Sequence, residues 1–372
     1  MTRSIIDVHI LQTVPPSNLN RDDSGSPKTA VYGGVRRARV SSQAWKRAVR
    51  LAFEEYLDDA DLGERTKRVG EAIAARISGL DPALDSRAAA LAVSVLKAAG
   101  LLKKEPRKDK PAETDYLLFL SHRQQQRLAE LAVRSAHDDT TIDARTAKEA
   151  ANTAHSIDIA MFGRMVADVS DINVDAAVQV AHAISVHHVE NEFDYFTAVD
   201  DRKYDLQESG AGMIGTVEFN SSTLYRYATI DVDRLHDTLG DPAATRRAVE
   251  AFLRAYALSM PTGKRNTFAN GTRPDAIVVH LRDTRAINLV GAFEEPVGRA
   301  DDTRGRVAQA ARTLAAYTAE VHDAYGERPA ATWITHVGDR TGALAALGTV
   351  LPLNELTEAV GATIAGRIGP GR

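Results

Sequence analysis

The chain has 372 residues, no cysteine and a formal net charge of -4, from 46 Lys and Arg against 50 Asp and Glu. This composition excludes disulfide bonds, thiolate metal sites and cysteine nucleophiles, and it does not indicate a nucleic-acid binder by total charge. With 44% hydrophobic residues the chain can bury a core and does not have the composition of a disordered protein. We find no signal peptide and no apolar window of about 18 residues, and we expect a cytoplasmic protein.

The N-terminal segment predicts a strand, a loop and an amphipathic helix. Apolar residues alternate over Ser4–Val14, as in a strand with one buried face. Pro15–Gly34 is rich in Pro, Gly, Ser, Asn and Asp and is predicted to be a long irregular loop. The next segment has helical spacing with Ser41 or Ser42 as N-cap, and its apolar face comprises Trp45, Ala48, Val49, Ala52 and Phe53.

From about residue 60 to residue 190 the sequence is rich in alanine and predicts helices, with few strand signals. A stretch of mixed charge, Lys103–Asp115, is predicted to be a solvated loop. The predicted helices are Thr66–Ile77, Ser86–Ala99, Arg123–Ala136, Asp143–Met165 and Val174–Val189.

The remaining sequence mixes strand and helix signals. Phe196–Val199 and Thr216–Phe219 flank a polar segment that contains glycines and predict a long hairpin, which a strand over Leu224–Ile230 follows. Because strand signals recur on both sides of the helical region, the pattern favours an α+β sheet domain with a helical insertion. Further helices are predicted at Pro242–Met260 and Arg304–Tyr325, and further strands at Ala276–Leu281 and Ile287–Phe293.

Basic residues are concentrated between Val31 and Arg50, where six cations occur without any carboxylate. On the predicted helix, a polar stripe from Gln43 to Arg50 lies opposite the apolar face. Together with the N–H groups and hydroxyls at the helix start, the stripe predicts a phosphate-binding surface, the alternative being an ordinary solvated face. If all six cations contacted RNA phosphates, log K would fall against log salt with a slope of about -4. The six are Arg36, Arg37, Arg39, Lys46, Arg47 and Arg50.

A second basic segment lies at Pro261–Arg273. Its cations and amides stand between glycines and beside Phe268, a combination that can follow a sugar–phosphate backbone and stack on a base. An ordinary turn is the alternative. Arg21 and Lys28 in the first loop are expected to extend the same surface. The candidate contacts of the second segment are Lys264, Arg265, Asn266 and Thr267.

Three patterns that resemble enzyme sites are weaker. The glycines of Gly210–Gly215 match a dinucleotide fingerprint, but a strand-like sequence follows them where a helix is required. The histidines of His182–His188 are interpreted as helix-surface residues, because His182 and His188 would not share a face. Asp22 and Asp23 leave magnesium-dependent phosphodiester cleavage open, although no second acidic cluster is recognisable.

Five separated segments resemble, in chain order, blocks of one protein family. On these segments the chain resembles the CasC family, the backbone subunit of Cascade, the type I-E CRISPR surveillance complex. The segments are Pro15–Arg50, Asp158–Val166, Glu192–Asp201, Gly210–Tyr227 and Pro261–Ala269.

The resemblance implies an α+β fold shaped like a hand, with an RRM-like (ferredoxin-like) palm, a large helical finger insertion and a β-hairpin thumb. The expected boundaries are 1–58 and 221–372 for the palm, 59–190 for the fingers and 191–220 for the thumb. The implied function is that of a non-catalytic RNA-binding subunit without a cofactor or metal. Its copies would form a helical oligomer along the CRISPR guide RNA (crRNA) and present it to target DNA in antiviral defense.

The resemblance also implies contacts with the Cascade subunits CasA, CasB, CasD and CasE, and none with a membrane. A metal-dependent ribonuclease that acts on RNA paired to the guide is the alternative, because related subunits of other CRISPR effector types cleave bound RNA. Carried over to matching positions, the RNA contacts are Arg21, Lys28, Ser41, Gln43, Lys46, Arg50 and Lys264 to Thr267. The thumb residues that would wedge between bases are Phe196, Thr197, Val199 and Met213.

Overall fold

The computed structural model describes residues 3–102, 113–114, 116–166, 169–198, 213–298 and 305–369. Within these ranges the chain has a mixed α+β fold that divides into two compact units. The first unit comprises Met1–Ala52, Val180–Thr229 and Phe252–Thr363, and the second comprises Phe53–Gln179, Ile230–Ala251 and Ile364–Arg372. No helix in the described part of the chain is long and apolar enough to cross a membrane.

Strands and helices alternate along the chain. The strands are β1 (Ile5–Ser17), β2 (Thr29–Tyr32), β3 (Val35–Val40), β4 (Gly63–Thr66), β5 (Leu118–Ser121), β6 (Val178–Val180), β7 (Ala183–Ser185), β8 (Glu192–Ala198), β9 (Met213–Asp231), β10 (Ala276–Arg282), β11 (Ala331–His336) and β12 (Thr349–Val350). The α-helices are α1 (Ser42–Ala52), α2 (Val69–Leu80), α3 (Asp85–Ala98), α4 (His122–His137), α5 (Ala144–Asn152), α6 (Ile157–Phe162), α7 (Val232–Leu239), α8 (Pro242–Leu258), α9 (Arg265–Phe268), α10 (Arg306–Tyr325) and α11 (Leu353–Ile368). Short 3₁₀ helices occur at Phe53–Glu55, Asp59–Asp61, Pro82–Leu84, Ser170–Ile172, Leu289–Phe293 and Asp339–Leu347.

A large sheet organises the first unit. Its strand order is β12-β11-β10-β1-β9-β7-β3-β2, and β6 and β8 also pair with β9. The central strand β1 runs antiparallel to β10, with Ile5 opposite Arg282 and Leu11 opposite Ala276. Every residue of β10 is buried. Two apolar clusters pack against opposite faces of β1 and β9. Leu11 belongs to the cluster on one face, and Val14 belongs to the cluster on the other.

The second unit has a helical core. Helices α2 to α5 and the two-stranded sheet of β4 and β5 surround a cluster that includes Ile73, Val95, Leu120 and Leu128. Helix α4 begins at a capping box, in which the Ser121 hydroxyl accepts a hydrogen bond from the backbone N–H of Gln124 at 3.0 Å. The alanine-rich sequence therefore predicted the main character of this unit.

A buried arginine holds helix α1 against the sheet of the first unit. The guanidinium of Arg226, on β9, lies 3.7 Å from the ring centroid of Trp45 and 4.5 Å from that of Tyr256. It donates hydrogen bonds to Gln12 Oε1 at 2.6 Å and to the carbonyl of Tyr256. Burial lowers the pKa of Arg226 to about 10, so the side chain stays charged at neutral pH. These contacts keep the apolar face of α1 turned toward the sheet.

Most elements that were predicted from a regular spacing of apolar residues are confirmed. Helix α1 begins at Ser42, and the predicted strand at Ala276–Leu281 corresponds to β10. The irregular loop predicted for Pro15–Gly34 is wrong in part, because β1 continues to Ser17 and β2 pairs with β3. Strands β2 and β3 are joined by Gly33 and Gly34, both with positive φ, as is typical of a two-residue hairpin turn.

Three predicted elements are wrong. The helix expected at Val174–Val189 is replaced by β6 and β7, which pair with the distant strand β9, so its histidines do not lie on a helix. The helix expected at Asp143–Met165 is two helices, α5 and α6, with Ala154 at positive φ between them. The strand expected at Ile287–Phe293 is a 3₁₀ helix, which the side chain of Asn288 caps by accepting from the N–H of Val290 at 3.0 Å.

A polar cluster lies inside the first unit beside β1. Asp7 and Arg282 form a fully buried ion pair at 2.7 Å. The Asp7 carboxylate also accepts hydrogen bonds from the Tyr227 hydroxyl at 2.8 Å and from the backbone N–H of Ile287 at 3.0 Å. A buried charge pair is tolerated when its remaining hydrogen-bonding positions are used, as they are here.

Three histidines surround this ion pair. The ring centroids of His9 and His280 are 5.3 Å apart, and those of His280 and His322 are 5.5 Å apart. Burial, and after it the charge of Arg282, lowers the pKa of His9 to about 3. Burial also lowers the pKa values of His280 and His322, and Tyr225 on the other side of His9 hydrogen-bonds its Nδ1 at 2.9 Å. His9 and His280 are therefore neutral at pH 7.

We expect the protein to lose stability between pH 7 and pH 5. The unfolded chain takes up protons on His9 and His280 near pH 6.5, whereas burial keeps both neutral in the folded chain, so acid favours unfolding. His9 alone contributes a loss of about 2 kcal/mol at pH 5. Urea unfolding at both pH values, for the natural protein and for His9→Gln, measures this loss. The variant should be less stable at pH 7, and its loss of unfolding free energy between pH 7 and pH 5 should be smaller by about 2 kcal/mol. An equal loss in the variant and the natural protein would contradict a neutral His9.

Candidate nucleic-acid interface

Ser41 caps the basic helix α1. Its hydroxyl oxygen accepts a hydrogen bond from the backbone N–H of Ala44 at 3.3 Å, which confirms the predicted N-cap. The backbone N–H of Ser41 donates to Asn20 Oδ1 at 2.9 Å, and the Asn20 carbonyl accepts from the N–H of Lys28 at 2.8 Å. One asparagine thus joins the start of α1 to the part of the first loop that carries Lys28.

The polar stripe of α1 faces away from the core. Gln43 and Arg47 are exposed, and Lys46 and Arg50 are half-buried. Burial lowers the pKa of Lys46 from its ordinary value. Because Trp45 on the opposite face is buried, the helix cannot rotate this stripe inward without exposing the core.

The arginines of β3 do not share one role, because alternate residues of a strand point to opposite faces. Arg36 is exposed, whereas Arg37 is completely buried. Counting Arg37 as a phosphate contact is therefore wrong, and the five remaining cations lower the expected salt slope to about -3.5. The Arg37 guanidinium donates instead to the backbone carbonyls of Tyr32, Ser185, Phe293 and Glu294.

Lys28 and Arg39 line a small polar depression beside the start of α1. Ser222 and Asn220 of β9 form part of its wall. The Arg39 Nε donates to the carbonyl of Thr29 at 3.1 Å, and its Nη1 lies 3.2 Å from Nδ1 of His182. These contacts hold the guanidinium in place at the edge of the depression.

Arg21 and the two aspartates lie in the tip of the first loop. Arg21 and Asp23 are exposed. The Asp22 Oδ1 accepts hydrogen bonds from the Ser24 N–H at 2.9 Å, the Ser24 hydroxyl at 2.7 Å and the Ser26 N–H at 3.0 Å. The hydrogen bond from the Ser24 side chain is the main cause that lowers the pKa of Asp22. Asp22 therefore shapes the loop.

The second basic segment lies beside the first loop. At Gly263 an added Cβ would stand 2.3 Å from the carbonyl oxygen of Leu19, so the two backbones are in close contact. Arg265, Asn266 and Thr267 are exposed on the short helix α9, which follows Lys264. The position of Phe268 does not support the expectation that it stacks on a base. Its ring packs against Phe219, with 5.7 Å between the two ring centroids.

Strands β8 and β9 form the predicted hairpin, from Glu192 opposite Phe219 to Ala198 opposite Met213. Phe196 covers Gly215, where an added Cβ would meet its ring at 2.4 Å, and the side chain is 40% exposed. Thr197 is exposed on the other face of β8. Val199 and the side chain of Met213 lie outside the described residues.

Two further aromatic residues stand on the face of β8 that carries Thr197. Phe193 is 68% exposed and Tyr195 is 62% exposed. The sequence analysis did not select them, although their period-two spacing places them on one face of a strand. Exposed aromatic side chains of this kind can stack on bases or contact another chain.

Comparison with known proteins defines the family. The sequence matches the family model described as CT1975-like protein over residues 6–359. The chain belongs to this family. A comparison with curated proteins finds no match.

Solved structures agree with this assignment. The chain is similar to one from a CRISPR RNA-guided surveillance complex in a pre-nicking state, with a TM-score of 0.84, 34% identity, and coverage of 97% of this chain and 100% of that chain. It is also similar to a chain of another CRISPR RNA-guided surveillance complex, with a TM-score of 0.74, 30% identity, and coverage of 96% and 99%. The resemblance to a CRISPR backbone subunit, drawn from five sequence segments, is confirmed.

Substitutions at Ser41 and Gln43 test whether Ser41 stabilises α1 as its N-cap. Ser41→Ala is expected to lower the free energy of unfolding by about 1 kcal/mol, because it removes the N-cap of α1. Gln43→Ala is expected to change it by less than about 0.5 kcal/mol, because Gln43 is exposed. Urea unfolding of both variants measures the difference, and equal stabilities would contradict a capping role for Ser41.

Proposed function

We propose that this chain is a non-catalytic subunit of a Cascade-type complex and binds the CRISPR guide RNA along α1 and the two basic loops. The main support for this proposal is the polar stripe of α1, which faces outward because Trp45 on the other side of the helix is packed in the core. Asn20 brings Lys28 to the start of this helix. The structural neighbours come from RNA-guided complexes, which supports RNA as the polyanion.

The residues of this surface suit phosphates better than base edges. A capped helix start with lysine and arginine side chains offers charge-assisted hydrogen bonds to a polyanion without reading its sequence. A guide has to be held whatever its sequence, and its pairing edges have to remain free for target DNA. Contacts confined to the ribose–phosphate backbone meet both requirements.

We assign the first unit to an RRM-like palm and the helical core of the second to the fingers. β1 lies between β9 and β10, and the connection between those two strands includes α8, as in a split βαβ unit. In a free RRM the sheet face stacks bases, but here apolar clusters cover both faces of the central strands. We therefore place the RNA on α1 and the loops.

The β8–β9 hairpin is the proposed thumb. Phe196 and Thr197 would wedge between bases, and the exposed Phe193 and Tyr195 enlarge the apolar surface available for this. Each thumb would reach the RNA of a neighbouring copy and so build a helical oligomer. The further partners are CasA, CasB, CasD and CasE of a type I-E complex, which acts in the cytoplasm in antiviral defense.

Reversing the charge of the α1 stripe tests the proposal. We expect Lys46→Glu with Arg50→Glu to weaken binding of single-stranded RNA by about tenfold or more, because two phosphate contacts become repulsive. Fluorescence anisotropy with labelled RNA measures the affinity, and native mass spectrometry measures assembly on guide RNA.

The matched control is Arg87→Glu with Arg145→Glu, which changes the net charge equally at exposed positions of α3 and α5. This control should retain RNA binding. Loss of binding in both variants would indicate a general charge effect, and binding retained by the α1 variant would contradict the proposed surface.

The proposed absence of catalysis is tested separately. We expect complementary RNA to remain intact when it is incubated with the guide-loaded complex and magnesium. Asp22→Ala and Asp23→Ala should behave like the natural protein in this assay. Cleavage by the natural protein that either substitution abolishes would establish the ribonuclease alternative.

A further inference from the structure

A second cationic pocket lies on the first unit, beside the last residues of β1. It is open to solvent, and β1, β9 and the start of α10 each contribute to it. Its lining includes Thr13, His187, Ser222, Thr223, Arg306 and Arg340.

Among the described residues, the lining combines two guanidinium groups with hydroxyls and the apolar Val14, Pro15 and Val307, and it includes no carboxylate. Arg306 and Arg340 are both exposed, and neither guanidinium forms a hydrogen bond or an ion pair with another residue of the described part of the chain. Asp275 lies close by, but its carboxylate accepts a hydrogen bond from the backbone N–H of Thr13 at 2.7 Å. Two unpaired arginines beside hydroxyl donors suit a phosphate group.

His187 supports the pocket wall without acting as a ligand. Its Nδ1 contacts the carbonyl of His188 at 2.7 Å, and its Nε2 accepts from the N–H of Thr223 at 3.1 Å. Burial lowers the pKa of His187 to about 4, and the charge of Arg306 contributes in the same direction. Both ring nitrogens are therefore in use, and the ring fixes the backbone of β9 at the pocket.

The start of α10 adds to the positive potential. Gly305 is its N-cap residue and provides no side-chain acceptor, and the first turn has no acidic residue. The 20-residue helix presents the positive end of its dipole at Arg306 and Val307. This contribution supplements the two arginines, which carry the argument.

The pocket and the surface around α1 flank the same stretch of β9. Asn220 and Ser222 line the depression of Lys28 and Arg39, and Ser221, Ser222 and Thr223 line the arginine pocket. The two cationic regions therefore adjoin at Ser222 of β9.

We propose that the pocket of Arg306 and Arg340 binds a backbone phosphate of single-stranded RNA, as a second anchor for the guide held along α1. This inference rests on the proposed function. It adds two phosphate contacts next to the Lys28–Arg39 depression, which shares Ser222 with the pocket, and neither arginine belongs to the basic segments found in the sequence.

The double variant Arg306→Gln with Arg340→Gln tests the pocket. Affinity for a labelled single-stranded RNA is measured over a series of salt concentrations. Losing two phosphate contacts should make the slope of log K against log salt shallower by about 1.4. Arg312→Gln with Arg87→Gln removes the same charge at exposed positions outside the pocket and should leave the slope unchanged. Arg306→Lys with Arg340→Lys keeps the charge and should retain the natural slope.

The possible outcomes distinguish this inference from the proposed function. If the natural protein fails to bind RNA, both are contradicted. If the natural protein binds, the Lys46 and Arg50 variant does not, and the Arg306 and Arg340 variant keeps the natural slope, only the pocket assignment is overturned. An equal change in slope in the Arg312 and Arg87 control would also overturn it. Urea unfolding of each variant confirms that the comparison is between folded proteins.

Discussion

The position of Arg226 between Trp45 and Tyr256 determines how the proposed RNA-binding surface is presented. Burying a guanidinium costs several kcal/mol unless its charge and its donors are met by other groups. Here the faces of two aromatic rings contact the charge, and Gln12 and the carbonyl of Tyr256 accept hydrogen bonds, while Nε has no hydrogen-bond partner among the described residues. This arrangement joins β1, β9, α1 and α8, and it fixes the rotation of α1 so that Lys46 and Arg47 face outward.

The rest of the surface is assembled from segments that are distant in the sequence. Asn20 links the start of α1 to Lys28, and the close backbone contact of Gly263 with Leu19 places α9 next to the first loop. Basic residues from three segments therefore form one surface although the chain as a whole is slightly acidic. Local concentration of charge, and not the total, is the quantity that matters for contact with a polyanion.

Sequence periodicity was sufficient where local contacts determine the structure. The apolar spacing of α1 is a property of the helix itself, and the structure confirms it. The strand predicted over Ser4–Val14 is confirmed as β1, but the expectation of a single buried face is wrong, because every residue from Ile5 to Gln12 is buried, on both faces of the sheet. Strands β6 and β7 were missed because each is only three residues long and depends on pairing with the distant β9, and because alanines occur around them in the sequence. Charge counting likewise could not show that Arg37 is buried, although the alternation within β3 separates it from Arg36. The pocket of Arg306 and Arg340 could be recognised only from the fold, because the two arginines are 34 positions apart in the sequence.

The central claim is that the outward stripe of α1 follows the backbone of a guide RNA. The most direct test is an electron cryomicroscopy map of this chain assembled on a guide. The account predicts phosphate density along Gln43, Lys46 and Arg50, with the adjoining loops at Lys28 and Lys264 in contact with the same strand. Density for the guide on another surface, with α1 left in solvent, would contradict it.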